Sequence, residues 1–485
     1  MPTRTMVGLN GTSYTYVLSD NPPEGGMKRT YFSADRSYVV QLYKDQNHTV
    51  DIQRIARLEK ILGPYNPTLT EAQGGRRSTS LESATYYQSL FCWPTDIILQ
   101  PELAIVSPCY PSEFFFDSGN LKGHEKKSKW FCSPKLRKML AADVRGTWID
   151  YFKIAISLVR AVRTLHMAGL AHSDLSPNNI LVDPKTGRVV VIDIDSLVVE
   201  GLFPPEVMGT PGYIAPEVIA TQHLPINDQN RRHPSLTTDL HALAVLLYQF
   251  LLYRHPLTGP KVNSTLSAED DERLSMGEKA LYIEHPSDKS NRPPKANMKH
   301  LVDVLGHDLK LMFERAFISG LHTPVSRPTA IEWEHALLKT WDRLVKCKND
   351  TCEYGWFVLS KSGTVSCPFC KKSPEYGVPV LSLQKEVRTG VWMQDSELAV
   401  YSGSSLFAWH VRHDSRPGVG ADRAPKGYML HHAGKWLFVN QSLPSLTSPS
   451  GTHVAIGQAI ELRDGCKFRL DSGDTGRMVK VEIRC

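Results

Sequence analysis

His172-Ser173-Asp174-Leu175-Ser176-Pro177-Asn178-Asn179-Ile180-Leu181-Val182 is the stretch on which the reading of this chain turns. It starts polar and ends on three apolar, strand-favouring residues, so it is a bend that delivers the chain into a strand. Asp174 and Asn179 stand five residues apart within it. A His-x-Asp in such a bend is commonly no more than a turn, and its meaning depends on its flanks. Before it, Trp148 to Gly169 carries Ile154, Leu158, Val162 and Leu165 on one helical stripe and stops at glycine. After it, the turn Asp183-Pro184-Lys185-Thr186-Gly187 leads into Arg188-Val189-Val190-Val191-Ile192, which predicts a buried strand. That strand ends in Asp193-Ile194-Asp195, and Gly209-Thr210-Pro211-Gly212-Tyr213-Ile214-Ala215-Pro216-Glu217 follows.

In this order the landmarks resemble those of a protein kinase: the H-R-D-L-x-x-x-N catalytic loop, the D-F-G turn and the G-T-x-x-Y-x-A-P-E end of the activation segment. The resemblance implies phosphoryl transfer from ATP to a protein serine or threonine. Asp174 would be the base facing the substrate hydroxyl, and Asn179 and Asp193 would hold magnesium on the nucleotide phosphates. It also implies an ion pair of Glu217 with Arg327. Asp239 would brace the catalytic loop, a plain helix cap being the other reading. Three departures stand out. Ser173 replaces the arginine that needs a phosphorylated activation loop, so that switch is not required. Ser176 stands where serine/threonine kinases place a lysine, which is reminiscent of the RIO kinases. Asp195 takes the glycine place of D-F-G, either as a further metal ligand or as the cap of the next turn.

Working back to the N-terminus, Tyr14 to Leu18, Thr30 to Phe32 and Tyr38 to Tyr43 predict strands. The bend between the first two contains Gly25-Gly26-Met27-Lys28, the place of the phosphate-covering loop, where glycine lets backbone N–H groups approach phosphate. The third-strand lysine of the family is missing, and Gln41 stands there. That resembles the with-no-lysine kinases, in which a glycine-loop lysine replaces it. Lys28 is then the candidate cation and Lys44 the fallback. Asp51 to Gly63 predicts a helix whose Glu59 either pairs with that lysine or is a solvated charge. Residues 71 to 85, with Gly74-Gly75-Arg76-Arg77-Ser78, read as a loop. Asp96 to Leu99 and Leu103 to Val106 predict two more strands. Ser107-Pro108-Cys109-Tyr110-Pro111 is the expected hinge facing adenine, where two prolines remove donors.

Cys347, Cys352, Cys367 and Cys370 form two close pairs fourteen residues apart, a spacing that suits a closed tetrahedral zinc site with no open position for catalysis. Trp356 to Leu359 and a Ser362-Gly363 turn suggest a hairpin between them. Nine cysteines, four of them clustered, suit a reducing compartment with one metal site better than a disulfide framework. Beyond residue 377, Leu406 to Val411, Lys435 to Val439, Ala459 to Leu462 and Met478 to Ile483 read as strands of a β-sandwich. Gly457 to Gly465 resembles the end of a forkhead-associated domain, although the arginine and serine phosphate ligands of that family have no clear match.

A hydrophobic content of 41% supports folded cores, and a net charge of +6 is too small for this length to argue nucleic-acid or membrane binding. No apolar run is long enough to span a bilayer and no signal-peptide pattern opens the chain, so the expectation is a cytoplasmic protein. The expected fold class is α+β. A two-lobed kinase domain occupies 1–340, with a small lobe at about 1–112 and a large lobe at about 140–340. A zinc ribbon at 341–376 and a forkhead-associated-like β-sandwich at 377–485 follow. This order, with Gly25-Gly26-Met27-Lys28 and Met276-Gly277-Glu278-Lys279-Ala280-Leu281, resembles bacterial kinases of the tellurium-resistance-associated triad. The resemblance implies ATP, Mg2+ and structural Zn2+ as cofactors, with Gly25, Gly26, Lys28, Gln41, Glu59, Asn179 and Asp193 around the nucleotide. It implies a protein substrate, with a von Willebrand-type protein and a protein-phosphatase-2C-like enzyme as partners. The rival readings are a pseudokinase scaffold and a zinc-dependent nucleic-acid binder.

Overall fold

The computed structural model describes residues 2–45, 48–75, 80–199, 202, 208–295, 298, 300–360 and 365–485. The chain forms two compact units. The first comprises 1–146, 153–298 and 312–334, the second 147–152, 299–311 and 335–485.

In the first unit, β1 (Thr3–Val7) and β2 (Ser13–Val17) make an antiparallel hairpin. The four strands β3 (Lys28–Phe32), β4 (Tyr38–Tyr43), β5 (Asp96–Ile98) and β6 (Ala104–Pro108) form one sheet in the order β3-β4-β6-β5. Alternation along β4 assigns its two faces. Val40 and Leu42 pack with Met6, Tyr14 and Tyr16 of the hairpin. Tyr43 points the other way, among Ile97, Leu103, Ile105 and Leu58 of the helix α1 (His48–Leu62). The sheet is thus covered by a hairpin on one side and a helix on the other. The strand β1 was not foreseen. The segment expected as a loop at 71 to 85 holds a short 3-10 turn, Glu71–Gln73, and a helix, Leu81–Gln88. Ser80 caps that helix by accepting the N–H of Ser83 at 3.2 Å. Arg76, Arg77 and Ser78 lie outside the described residues.

The helical part is built on Trp148–Met167 and Leu236–Leu252. The second is buried nearly all round, as expected of a helix at the centre of a lobe. The strands Ile180–Asp183 and Arg188–Val191 pair antiparallel, with Ile180 opposite Val191, and carry the ends of the opening stretch and of its neighbour. The segment 258 to 298 contains a capped helix, Ala268–Met276; Ala296 and Asn297 lie outside the described residues.

In the second unit, Leu344–Lys346 pairs with Trp356–Val358, so the cysteine segment has its hairpin before Leu359. The Ser362-Gly363 turn lies outside the described residues. Farther on, two four-stranded antiparallel sheets share one apolar cluster. Leu381, Leu383, Phe468, Val479 and Val481 come from one sheet, and Leu406, Met429, Phe438 and Ile460 from the other. This β-rich region includes a long hairpin that was not foreseen, Val378–Arg388 with Val391–Ala399. Leu406 to Val411 is not a continuous strand: it leaves the sheet at Leu406 and makes one helical turn, Ala408–Val411. No described helix is long and apolar enough to cross a membrane.

Candidate active site

Two backbone bonds to a single residue set the site. Ile192 donates its N–H to the Asn179 carbonyl at 3.0 Å and accepts from His172 Nε2 at 2.9 Å. The residue before Asp193 is therefore tied to both ends of the opening stretch. Asn179 Nδ2 donates to the Asp174 carbonyl and to its Oδ2, both at 2.9 Å. These bonds use the amide nitrogen and leave Oδ1 as the ligand atom. Thr210 donates its hydroxyl to the other Asp174 oxygen at 2.6 Å. Thr210 was quoted in the sequence as part of a motif, but nothing there marked it as a partner of the acid. Asp239 lies in the first turn of Leu236–Leu252 and is not its cap, which is Ser235. Its Oδ2 accepts from the His172 N–H at 2.7 Å and lies 3.2 Å from His166 Nε2.

Asp193 sits at φ 64, ψ 46, in the left-handed region. Few side chains adopt it, and Asp is among those that do. Its neighbour in space is Lys28, the first residue of β3. Lys28 Nζ donates to Asp193 Oδ1 at 3.0 Å and to Asp195 Oδ1 at 2.5 Å. Burial disfavours the charged form of Lys28. Asp195 and Asp193 outweigh it and hold the ammonium charged, its pKa above the usual lysine value. Burial likewise pushes the Asp195 carboxyl up, but Lys28 and the Tyr43 hydroxyl outweigh it and keep its pKa below the usual range. Tyr43 donates to Asp195 Oδ2 at 2.5 Å. The cap reading of Asp195 therefore gives way. This residue does not cap the next turn, and its two oxygens are taken by a lysine and a phenol.

The other candidates are placed elsewhere. Lys44, the fallback cation, pairs with Glu24 at 2.7 Å, and Glu24 also pairs with Arg29. Glu59 is exposed on α1 and does not meet Lys28; it is the solvated charge of the second reading. Helix α1 reaches the site through Arg54, whose guanidinium lies 4.3 Å from the Tyr43 ring centroid. Gln41 stands opposite Thr30 and donates to its hydroxyl at 3.4 Å. Gly25 and Gly26 form the turn before Lys28, with Gly25 N–H on the Lys28 carbonyl at 2.9 Å. At the hinge, the Cys109 N–H between the two prolines is already given to the Ser37 carbonyl at 3.3 Å. Behind it Cys92 and Tyr110 pack on Phe114, Leu181, Val190 and Ile192. Burial pushes the Cys92 thiol up to about 12.

Glu217 and Arg327 form a bidentate pair, Nη1 to Oε1 at 2.8 Å and Nη2 to Oε2 at 2.7 Å. Arg327 also donates to the carbonyls of Gly320, Thr237 and Leu321, so it ties the end of the activation segment to three backbone positions.

The sulfurs of Cys347, Cys352, Cys367 and Cys370 lie within 4.8 Å of one another, with 3.5 Å between the first and last and 3.9 Å between the middle two. Tetrahedral Zn–S bonds of about 2.3 Å place sulfurs about 3.8 Å apart, so the four thiols fit zinc. Lys371, just after Cys370, is at φ 63, which turns the chain back under the thiols. Burial opposes ionisation of Cys370, but the Lys372 N–H and neighbouring groups overcome it and lower the thiol to about 7.

Residues 131–310 match the family described as protein kinase domain. Among curated relatives, mouse citron Rho-interacting kinase is 26% identical over 226 residues, covering 45% of this chain and 10% of its own length. The serine/threonine-protein kinase PknD of Chlamydia felis is 30% identical over 156 residues, 28% of this chain and 15% of that protein. This chain thus spans a small part of these relatives. Among solved structures, ROP2 of Toxoplasma gondii, described as having a protein-kinase fold and no enzymatic activity, aligns with a TM-score of 0.43 at 12% identity. The alignment covers 70% of this chain and 84% of that one. The family match over 131–310 and the joined geometry of Asp174, Asn179 and Asp193 lead to one statement of architecture: the chain carries a protein-kinase fold, followed by a four-cysteine cluster and a β-rich region.

Proposed function

We propose that this protein is an ATP-dependent protein serine/threonine kinase. The observation that carries the reading is Lys28: a buried ammonium held charged beside Asp193, which the strand end ties to Asn179 and Asp174. Phosphoryl transfer asks a protein mostly for positioning and charge neutralisation. Asp174 orients the incoming hydroxyl and takes its proton at a carboxylate oxygen. The Thr210 hydroxyl already lies within hydrogen-bond reach of that carboxylate, which supports a hydroxyl as the acceptor. Asn179 Oδ1 and the half-exposed Asp193 carboxylate would hold magnesium, which when bound neutralises phosphate charge. Lys28 supplies the protein's own positive charge to the phosphates, in place of the absent third-strand lysine. Gly25 and Gly26 have open space where a Cβ would stand, and neither has a positive φ. The fold itself makes no demand for glycine there, which leaves close approach of a ligand as the reason.

The four cysteines hold Zn2+ as a structural ion. By the resemblance of domain order to the tellurium-resistance-associated kinases, the ribbon and β-rich region dock a von Willebrand-type or protein-phosphatase-2C-like partner. A second reading, a pseudokinase scaffold, draws support from the engaged Cys109 N–H and from Ser176, which is fully buried where the family has a lysine. Incubation with labelled ATP and magnesium decides between the two. The kinase reading expects transfer by the wild type and none by Asp174→Ala or Lys28→Ala; equal labelling of all three sinks it.

A further inference from the structure

Asp195 stands where the kinase pattern has glycine, and glycine offers no side chain at all. Here the side chain is 7% exposed, with one oxygen on Lys28 and the other on Tyr43. Asp193, two residues away, is 39% exposed and makes the longer contact with the same lysine. The family's usual arrangement pairs the phosphate-binding lysine with a glutamate of the small-lobe helix, and Glu59 is exposed and does not serve.

We propose that Asp195 is the positioning residue for Lys28: the fixed counter-ion that replaces the helix glutamate and keeps the ammonium aimed at the nucleotide phosphates. The division of labour follows from exposure. A lysine held by two carboxylates keeps its place when one of them is withdrawn to a metal. Asp193, the accessible one, is free to change partner, whereas Asp195 is not, because the Tyr43 hydroxyl fixes its orientation from the far side. A buried, charge-assisted bond of this kind is short and directional, so it sets an angle as well as a charge. Tyr43 stands opposite Lys28 in the β3–β4 register, so the lysine and the residue that orients its counter-ion are fixed by one strand pairing. The counter-ion itself comes from outside α1, which contributes Arg54 against the Tyr43 ring.

This inference rests on the kinase reading for its direction, but its test does not require turnover. Mg-ATP binding to the full chain is measured by calorimetry at saturating magnesium for the wild type, Asp195→Asn, Lys28→Met and the double variant, with KM for ATP measured alongside. Asp195→Asn is expected to weaken nucleotide binding about tenfold, the scale of one charge-assisted contact, and to raise KM more than it lowers kcat. In the Lys28→Met background the same change is expected to add nothing, because the two act as a unit. Additive losses, or an Asp195→Asn variant that binds as the wild type does, overturn the proposal. If Asp195 were a metal ligand, the half-saturating magnesium concentration would move and affinity at saturating magnesium would not, which also overturns it. Should Asp195→Asn alone fail to fold, folding restored in the double variant supports the pair, and failure of both overturns it. A wild type that binds Mg-ATP but transfers nothing removes the kinase reading and leaves this inference to be judged on the binding cycle.

Discussion

Asp239 Oδ2 accepts the backbone N–H of His172 at 2.7 Å, joining a buried helix to the start of the catalytic loop. The carboxylate is 2% exposed, and a second contact, to His166, closes round it. Asp239→Ala leaves the His172 N–H buried without a partner, at a cost of about 1–3 kcal/mol. The expected result is a lower melting temperature together with at least a tenfold loss of kcat and a nearly unchanged KM for ATP. Thermal melts and steady-state kinetics of that variant check both.

The Glu217–Arg327 pair has a guanidinium that is 1% exposed and bonded to three further carbonyls. Such a pair contributes little beyond a hydrophobic replacement while intact, yet breaking it from one side costs about 3–5 kcal/mol. Arg327→Ala is expected to lose that much in chemical denaturation. Glu217→Gln, which keeps one acceptor oxygen on the arginine, should lose less. A loss below 1 kcal/mol for Arg327→Ala would show that the lobe relaxes around the gap.

His255 donates from Nε2 to the Gly212 carbonyl at 2.8 Å, because its Nδ1 is committed to accepting the Leu257 N–H at 3.2 Å. The ring is therefore neutral, and burial lowers its pKa from 6.5 to about 4. The folded state binds this proton less readily than the unfolded chain, so between pH 6.5 and 4 the unfolded chain carries more protons. Stability is fully present above 6.5 and falls with pH through that window, by about 3 kcal/mol from this one group. Burial depresses His241 in the same direction. Denaturation midpoints from pH 7 to pH 4 should fall less steeply for His255→Gln than for the wild type.

Removal of zinc should act on the second unit. Four sulfurs drawn within 4.8 Å form a small cluster whose folding free energy would depend on a bound ion. Chelation at neutral pH should release one zinc per chain and expose the thiols to a thiol reagent, with the rate rising as pH rises. Cys367→Ser, which removes a fully buried ligand, should abolish stoichiometric zinc binding measured by atomic absorption.

Much of the candidate site could be named in advance because the proposed phosphoryl-transfer chemistry asks for residue types at fixed spacings. Asp174, Asn179 and Asp193 could be placed by counting, and Lys28 by the lack of a lysine at Gln41. What counting could not supply was the partner of Lys28. Glu59 has the right residue type on the right helix, and the apolar spacing Ile52, Ile55, Leu58, Leu62 places it on the inward stripe; in the structure the buried face is instead Arg54, Arg57, Leu58 and Ile61, which leaves Ile52 and Glu59 exposed. Asp195 was visible, yet a carboxylate beside a candidate metal ligand reads most readily as another ligand or a cap. Its true neighbours, Lys28 and Tyr43, lie more than 150 positions away. Among the strands, Val378–Arg388 was not foreseen: its first four residues are all buried, which hides the two-residue alternation, and Pro379 has no N–H for a ladder. In the sheet Pro379 lies at the strand's second position, beyond the last pairing with Val391–Ala399, where a missing N–H costs least. Leu406 to Val411 misled in the opposite way: aromatic and branched residues favour strands, but His410 Nδ1 accepts the Phe407 N–H and starts a helical turn.

The register of β3 against β4 places Lys28 across from Tyr43. Charge has moved sideways by one strand, and a phenol occupies the neighbouring seat. Surveys that score such chains by a lysine at one column of an alignment would discard this one as inert. On the proposed reading, β3 delivers the positive charge that β4 lacks at Gln41.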